Sequence, residues 1–386
     1  MTTVSVSTAG STAGAMEGTR KGRTVSGYLS QKVDDLNSGH LTAGRARSFR
    51  MGRASSPEQL SAALRGSIIG QDHAIDSVVR GLTIAAAGIR DPHRPIASLL
   101  FVGPTGVGKT ELARRLAAEI AGDPDKLCRI DMNTLAQEHY AASLSGAPPG
   151  YAGAKEQFTL FDRELVEGNL SRPGIVLFDE VEKAHTTVLR SLLQILDSGT
   201  LRLTAGTSMI DFRNAIVLLT SNLGSAELAA NSRVRMRAPL RRLLPRRLGG
   251  SPTAESDDDI VDRAVEEFFD PELYNRFDEV VRFAPLDERN AGLIVDLELA
   301  RLTENLHARG IRWEYDDSVR AHLITAGFDR VYGARNLKRV IRLELHSSIA
   351  DIIVRHDPGA GPLVLHTSAG GNGLTTNGQA TNGQAT

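Results

Sequence analysis

Short, wholly apolar runs alternate along the middle of this chain with longer stretches in which apolar residues return every three or four positions. Ser98–Val102, Gly174–Phe178 and Ala215–Leu219 are of the first kind, and Leu127–Ile130 reads as a further short strand that carries Arg129. Runs this short, without polar alternation, predict strands covered on both faces. Leu112, Leu116, Ala117 and Ile120 follow the first run at helical spacing. Alternating strand and helix signals place the chain in the α/β class. Later, Leu337, Ile341, Leu345, Ile349 and Ile353 recur every four residues with Val340 and Ile352 beside them, which predicts one apolar helix face.

The two ends read differently. Residues 1–55 are rich in Ser, Thr, Gly and Ala and carry eight Lys/Arg against three Asp/Glu. Such a stretch buries too little apolar surface to offset its ordering entropy, so a disordered basic arm is expected there. Residues 367–386 close on two copies of Thr-Asn-Gly-Gln-Ala, and a disordered tail is expected. Lys and Arg total 45 and Asp and Glu 46. That balance disfavours a polyanion binder and leaves room only for local basic patches. No apolar run is long enough to cross a bilayer, so no membrane is expected as a partner. The single Cys128 excludes an intramolecular disulfide and a multi-cysteine zinc site, and it fits a reducing, cytoplasmic setting. The ten His show no metal-ligand spacing, and Glu182 and His185, read on the helix after an acidic strand, have no second ligand nearby.

The strand at Ser98–Val102 runs straight into Gly103, Pro104, Thr105, Gly106, Val107, Gly108, Lys109 and Thr110, and a helical pattern follows. This is G-x-x-x-x-G-K-[ST] in its strand–loop–helix setting. Glycines let backbone N–H groups surround phosphate oxygens, Lys109 neutralises the β/γ-phosphates, and Thr110 ligates Mg²⁺. ATP and Mg²⁺ are therefore the expected ligands. The run Gly174–Phe178 ends in Asp179 and Glu180. Asp179 suits the Mg²⁺ shell, through water, and Glu180 suits polarising the attacking water. A third strand ends at Asn222, whose carboxamide has either the γ-phosphate or the water within its chemistry.

Taken in order, Ile69-Gly-Gln, Gly103 to Thr110, Arg129-Ile-Asp-Met132, Gly146-Ala-Pro-Pro-Gly-Tyr151, Asp179-Glu-Val-Glu-Lys-Ala-His185, Asp211-Phe-Arg-Asn214, Thr220-Ser-Asn-Leu-Gly224, Asn275-Arg276 and Tyr332-Gly-Ala-Arg335 resemble the second ATPase module of the Clp AAA+ unfoldases, closest to ClpB-type disaggregases. The resemblance covers about residues 60 to 366. It implies a P-loop αβα sandwich at 56–284 followed by a small, mainly helical lid at 285–366, assembled as a homo-hexamer acting on protein substrates. Glu180 then matches the water-activating glutamate and Asn222 the first sensor. Arg276 matches the finger that reaches a neighbour's ATP, and Arg335 the second sensor in the lid. Ile69 and Gly70 match the segment packed on adenine, and Tyr151 the pore-loop aromatic.

The chain also departs from that pattern. One ATPase module is expected from these residues, with no counterpart expected to the N-terminal domain, first ring or coiled-coil middle domain of a full disaggregase. An Arg-rich insert at about 231–257 holds seven arginines from Arg233 to Arg247, then the acidic run Glu255 to Asp259, read as solvated loop. No hydrophobic-Gly-hydrophobic tripeptide occurs there, so docking to a ClpP-type protease is not expected. The leading expectation is an ATP-dependent unfoldase or remodelling chaperone that threads polypeptide through a pore. The alternatives are a nucleotide-switched assembly factor for a dedicated partner and, after it, a nucleic-acid-remodelling motor.

Overall fold

In the computed structural model, residues 54, 56–137, 160–169, 171–202, 209–228, 230–231, 256–329, 333–356, 361–371 and 373–380 are described. All fall within one of the two units into which the chain divides, Ser48–Thr386. Helices α1 (Pro57–Arg65) and α2 (Asp72–Ala86) lead to β1 (Ala97–Val102), α3 (Lys109–Ala121) and β2 (Cys128–Asp131). Then come α4 (Arg163–Glu167), β3 (Gly174–Asp179), α5 (Thr186–Ser198), the short strands β4 (Thr200–Arg202) and β5 (Met209–Asp211), and β6 (Ala215–Ser221). Helices α6 (Asp257–Phe268) and α7 (Pro271–Tyr274) precede β7 (Glu279–Arg282). The last part holds α8 (Glu288–Ala308), β8 (Arg312–Tyr315), α9 (Asp317–Gly327), α10 (Gly333–Val340), α11 (Ser347–Arg355), β9 (Leu363–Gly370) and β10 (Gly373–Ala380).

The apolar runs pair as a parallel sheet in the order β2-β3-β6-β1-β7. Leu99, Phe101, Ile175, Leu177, Ile216 and Leu218 point to one face, where Leu60, Leu64, Ile75, Leu82, Leu112 and Leu116 of α1, α2 and α3 cover them. Leu100, Val102, Val176, Phe178, Val217 and Leu219 point to the other, under Val188, Leu192 and Ile195 of α5 and Ile260 and Val265 of α6. The edge strand β2 alternates buried Cys128 and Ile130 with exposed Arg129 and Asp131. Both faces of β1, β3 and β6 are buried along their whole length, which is why these three carry no polar alternation. Each such side chain contributes about 1.5–3 kcal/mol on burial. The order also sets the carboxyl ends of β3, β6 and β1 side by side, so the loops leaving them converge at one crevice.

The helical part shares the first of these cores through Val295, Leu299, Val319, Leu323, Leu337 and Leu345. Its stripe repeats every four residues, whereas an α-helix turns every 3.6, so a straight α-helix would rotate the stripe out of contact. Between α10 and α11 the chain takes a π-helical turn, Ile341–His346. That wider turn keeps Leu337, Ile341, Leu345 and Ile349 all buried.

Two expectations are corrected. Residues 367–380 are not a tail. β9 pairs antiparallel with β10, and with β8 they form a three-stranded sheet on the helical part. Thr367 accepts a hydrogen bond from Trp313 Nε1 at 2.9 Å and lies 3.0 Å, oxygen to oxygen, from Thr376, whose hydroxyl meets Ser348 at 2.9 Å. Cross-strand hydroxyl pairing gives this polar strand a reason to dock. The acidic run is not all loop either: Ser256 caps α6 in a capping box with Asp259, and Asp257, Asp258 and Asp259 form its first turn, where negative charge is favoured. The basic arm and most of the Arg-rich insert lie outside the described residues. Among the described residues, no helix is long and apolar enough to cross a membrane.

Candidate functional site

β1 ends at Val102, and the next six residues turn the chain into α3. Gly108 caps that helix at φ 109°, a conformation only glycine adopts without strain. Lys109 begins the helix with 7% of its surface exposed. Its Nζ donates to Gly103 O at 2.6 Å, Pro104 O at 2.8 Å and Asn222 Oδ1 at 2.8 Å. An ammonium has three donors, so all are engaged. Burial pulls its pKa down to about 8 against the raising influence of Glu182, Asp179 and Glu180, and the Arg335 guanidinium pushes the same way as burial. The result is a cation poor in solvent at the N-terminus of α3, where the helix dipole also favours anions.

Asp179, at the end of β3, is 5% exposed. Its Oδ1 accepts from Thr110 Oγ1 at 3.1 Å and its Oδ2 from Arg129 Nε and Nη2 at 3.0 and 2.6 Å. The buried Thr220 hydroxyl also donates to Oδ1. Thr110 and Asp179 thus bring a hydroxyl and a carboxylate oxygen within one hydrogen bond, and oxygen donors of this kind fit Mg²⁺. Glu180 takes φ 61°, alone among the described non-glycine residues in the left-handed region. Its N–H donates to Thr220 Oγ1 at 2.9 Å. One threonine on β6 therefore ties down both carboxylate residues, Asp179 through its side chain and Glu180 through its backbone, at a turn whose left-handed conformation is costly for a non-glycine residue.

Asn222 follows β6. Its N–H and its Nδ2 donate to Glu182 Oε1 at 3.2 and 2.9 Å, and its Oδ1 also accepts from Thr105 Oγ1 at 3.4 Å. Glu182 is not on the helix that the sequence suggested. It lies in a 3₁₀ turn, Val181–Lys183, and His185 caps α5.

The lid residues meet the same loop. Ala334 donates its N–H to Gly106 O at 3.0 Å. Gly333 has φ 54°, and a side chain there would press on Gly106 O at 2.9 Å. Arg335 follows at once, near enough to act on Lys109. On the far side, Gln71 pins the Ile69–Gly70 segment by exchanging hydrogen bonds of 2.9 Å each way with the Ala284 backbone. The Asn290 carboxamide of α8 lies against Gly70, so close that a Cβ on that glycine would stand 2.4 Å from Nδ2.

Arg276 lies apart from this cluster. Its guanidinium pairs with Asp197 at 3.0 Å, and its carbonyl accepts from Ser98 Oγ at 2.8 Å and from Arg94. Tyr151 lies outside the described residues. Arg129, Thr220, Glu182 and Asn290 are the site residues to which sequence reasoning gave no role. Arg129, inside Arg129-Ile-Asp-Met132, and Thr220, two residues before Asn222, belong to motif runs of the sequence, but only the order β2-β3-β6 reveals what they touch. Among the described residues, no cluster of three or more His, Cys, Asp or Glu could hold a metal. Cys128 is buried, which pushes its thiol up to about 11 and leaves it a core residue.

Comparison with known proteins places residues 94–280 in the AAA domain (Cdc48 subfamily) family and residues 286–361 in that of the C-terminal, D2-small domain of ClpB protein. An ATP-dependent protease ATP-binding subunit-like protein of Rhodococcus erythropolis is 51% identical over 347 residues, covering 89% of this chain and 97% of that one. A protein of the same description, AmiB of Pseudomonas aeruginosa, is 44% identical, covering 83% and 85%. The chaperone protein ClpB of Aquifex aeolicus is 37% identical over 78% of this chain, which spans only 28% of that ClpB. Among solved structures, a closed-state cryo-EM reconstruction of Hsp104 with ATPγS and FITC-casein matches with a TM-score of 0.66 at 28% identity, covering 83% of this chain and 51% of that one.

Proposed function

Because the chain belongs to the Clp-type AAA+ ATPases, we propose that it is a Mg²⁺-dependent ATP hydrolase, working as a homo-hexameric ring that draws polypeptide through a central pore. The observation that carries the reading is the convergence of Lys109, Thr110, Asp179, Glu180 and Asn222 on one crevice, reached by the lid through Ala334.

In this reading the backbone from Gly103 to Gly108 and the first turn of α3 bind the phosphates, and Ile69 and Gly70 pack on adenine. Lys109 gives up protein acceptors for phosphate oxygens. Thr110 and Asp179 would hold Mg²⁺, which when bound neutralises charge on the β- and γ-phosphates. Glu180 takes a proton from the attacking water, and its strained backbone fixes where that carboxylate points. Arg335 approaches the γ-phosphate from the lid. Arg276 serves the neighbouring subunit's site, a contribution of about 10³–10⁵ in rate for an arginine supplied this way. Tyr151 grips the threaded chain, its ring offering apolar area and a polar tip to almost any side chain. The casein in the Hsp104 reconstruction supports polypeptide as the substrate class.

Unfolding of a fluorescent folded substrate with ATP tests the pore reading. Tyr151→Ala is expected to lose unfolding far more than ATP turnover. Unfolding at the wild-type rate in that variant would rule out threading past this residue.

A further inference from the structure

Asn222 lies between opposite charges. Its Oδ1 faces Lys109 Nζ at 2.8 Å and Thr105 Oγ1 at 3.4 Å, and its Nδ2 faces Glu182 Oε1 at 2.9 Å. An ammonium only donates and a carboxylate only accepts, so one orientation of the carboxamide satisfies both neighbours and the flipped one satisfies neither. Glu182 Oε1 takes the Asn222 backbone N–H as well, at 3.2 Å, which anchors the residue at two points. The other oxygen, Oε2, is buried with no protein hydrogen bond. A carboxylate kept in that costly state calls for a reason beyond packing.

We propose that Glu182 is a positioning residue that locks the Asn222 carboxamide with its oxygen toward the phosphate cradle, so that Asn222 acts as a hydrogen-bond acceptor for the attacking water and not as a donor to the γ-phosphate. The proposal rests on the hydrolase reading. Phosphate oxygens are acceptors and have nothing to offer Oδ1, whereas a water has two protons. One goes to the Glu180 carboxylate as the water oxygen bonds to phosphorus and the bridging P–O bond breaks. The other stays on the new phosphate, hydrogen-bonded to Asn222. Lys109 and Thr105 occupy Oδ1 until nucleotide draws Lys109 to the phosphates, so arrival of the triphosphate itself frees the acceptor.

Reversing the polarity of the pair tests this. Asn222→Asp sets two carboxylates face to face, and kcat should fall about 100-fold or more. Adding Glu182→Gln gives the new carboxylate a donor while leaving an acceptor for water, and kcat should return to within about tenfold of wild type. A pair no faster than Asn222→Asp alone, with wild-type turnover intact, overturns the assignment; no turnover in wild type overturns the hydrolase reading with it. Should Asn222→Asp fail to fold, Glu182 variants read the same point. Glu182→Gln keeps an acceptor for Nδ2 and should hold kcat within about threefold, whereas Glu182→Ala should lose about tenfold or more at unchanged KM. Equal kcat in wild type and Glu182→Ala overturns the proposal.

Discussion

Arg276 holds its guanidinium 3.0 Å from the Asp197 carboxylate of its own chain, with its Nε buried and without a hydrogen-bond partner. A buried guanidinium N–H without an acceptor is costly, and a finger that is to serve another subunit has to leave such a resting place. Arg276→Ala is expected to lower kcat by about 10³ or more. Mixed with Lys109→Ala, which cannot bind nucleotide productively but keeps its arginine, it should regain part of that turnover. No gain at any mixing ratio in an ATPase assay would remove the role in trans.

The low pKa of Lys109 gives nucleotide binding a pH dependence of definite sign. Free protein loses this charge as pH rises through about 8. Bound phosphates favour the ammonium and raise that value, so binding above pH 8 takes up a proton and weakens up to about tenfold per pH unit. Calorimetry at pH 8.5 in buffers of different ionisation heat reads the uptake directly. Binding without proton uptake there would contradict the assignment.

Thr220 holds two carboxylate residues with one hydroxyl. Thr220→Val keeps the shape and removes both hydrogen bonds, so unfolding free energy should drop by about 1–3 kcal/mol, and turnover should fall as Glu180 loses its anchor. Thr220→Ser should restore both in urea titrations and kinetics.

Gly333 seats the lid on the phosphate loop at φ 54° against Gly106 O. Gly333→Ala adds a methyl where backbone already stands and strains a left-handed residue, at a cost of about 1–2 kcal/mol. A raised KM for ATP is expected with it. An unchanged KM would separate the lid seat from nucleotide binding.

The parts of the site legible in the sequence are those contiguous in it. Gly103 to Thr110, Asp179 with Glu180, and Asn222 each sit at the end of an apolar run, and the parallel sheet brings those ends together. Arg129, Thr220 and Glu182 were hidden because their partners come from other strands and turns, set by sheet order and by a 3₁₀ turn where helix was expected. Residues 367–380 look like a tail in the sequence because the second strand of the β9–β10 hairpin, ending Thr-Asn-Gly-Gln-Ala, has the composition of a linker. The hairpin's stability comes from Thr367 and Thr376 across the strands, from Ser348 of α11 against Thr376, and from Gly378, whose missing side chain lets Ile352 approach. The four-residue stripe is legible as an apolar face, but not the π-helical turn that keeps it buried.

ATP binding and ATP turnover measured side by side in Glu180→Gln test the account most directly. The variant keeps the size of the side chain and removes the base, so binding should stay within a few-fold of wild type while turnover falls about 100-fold or more. Turnover at the wild-type rate in Glu180→Gln would show that the chemistry lies elsewhere.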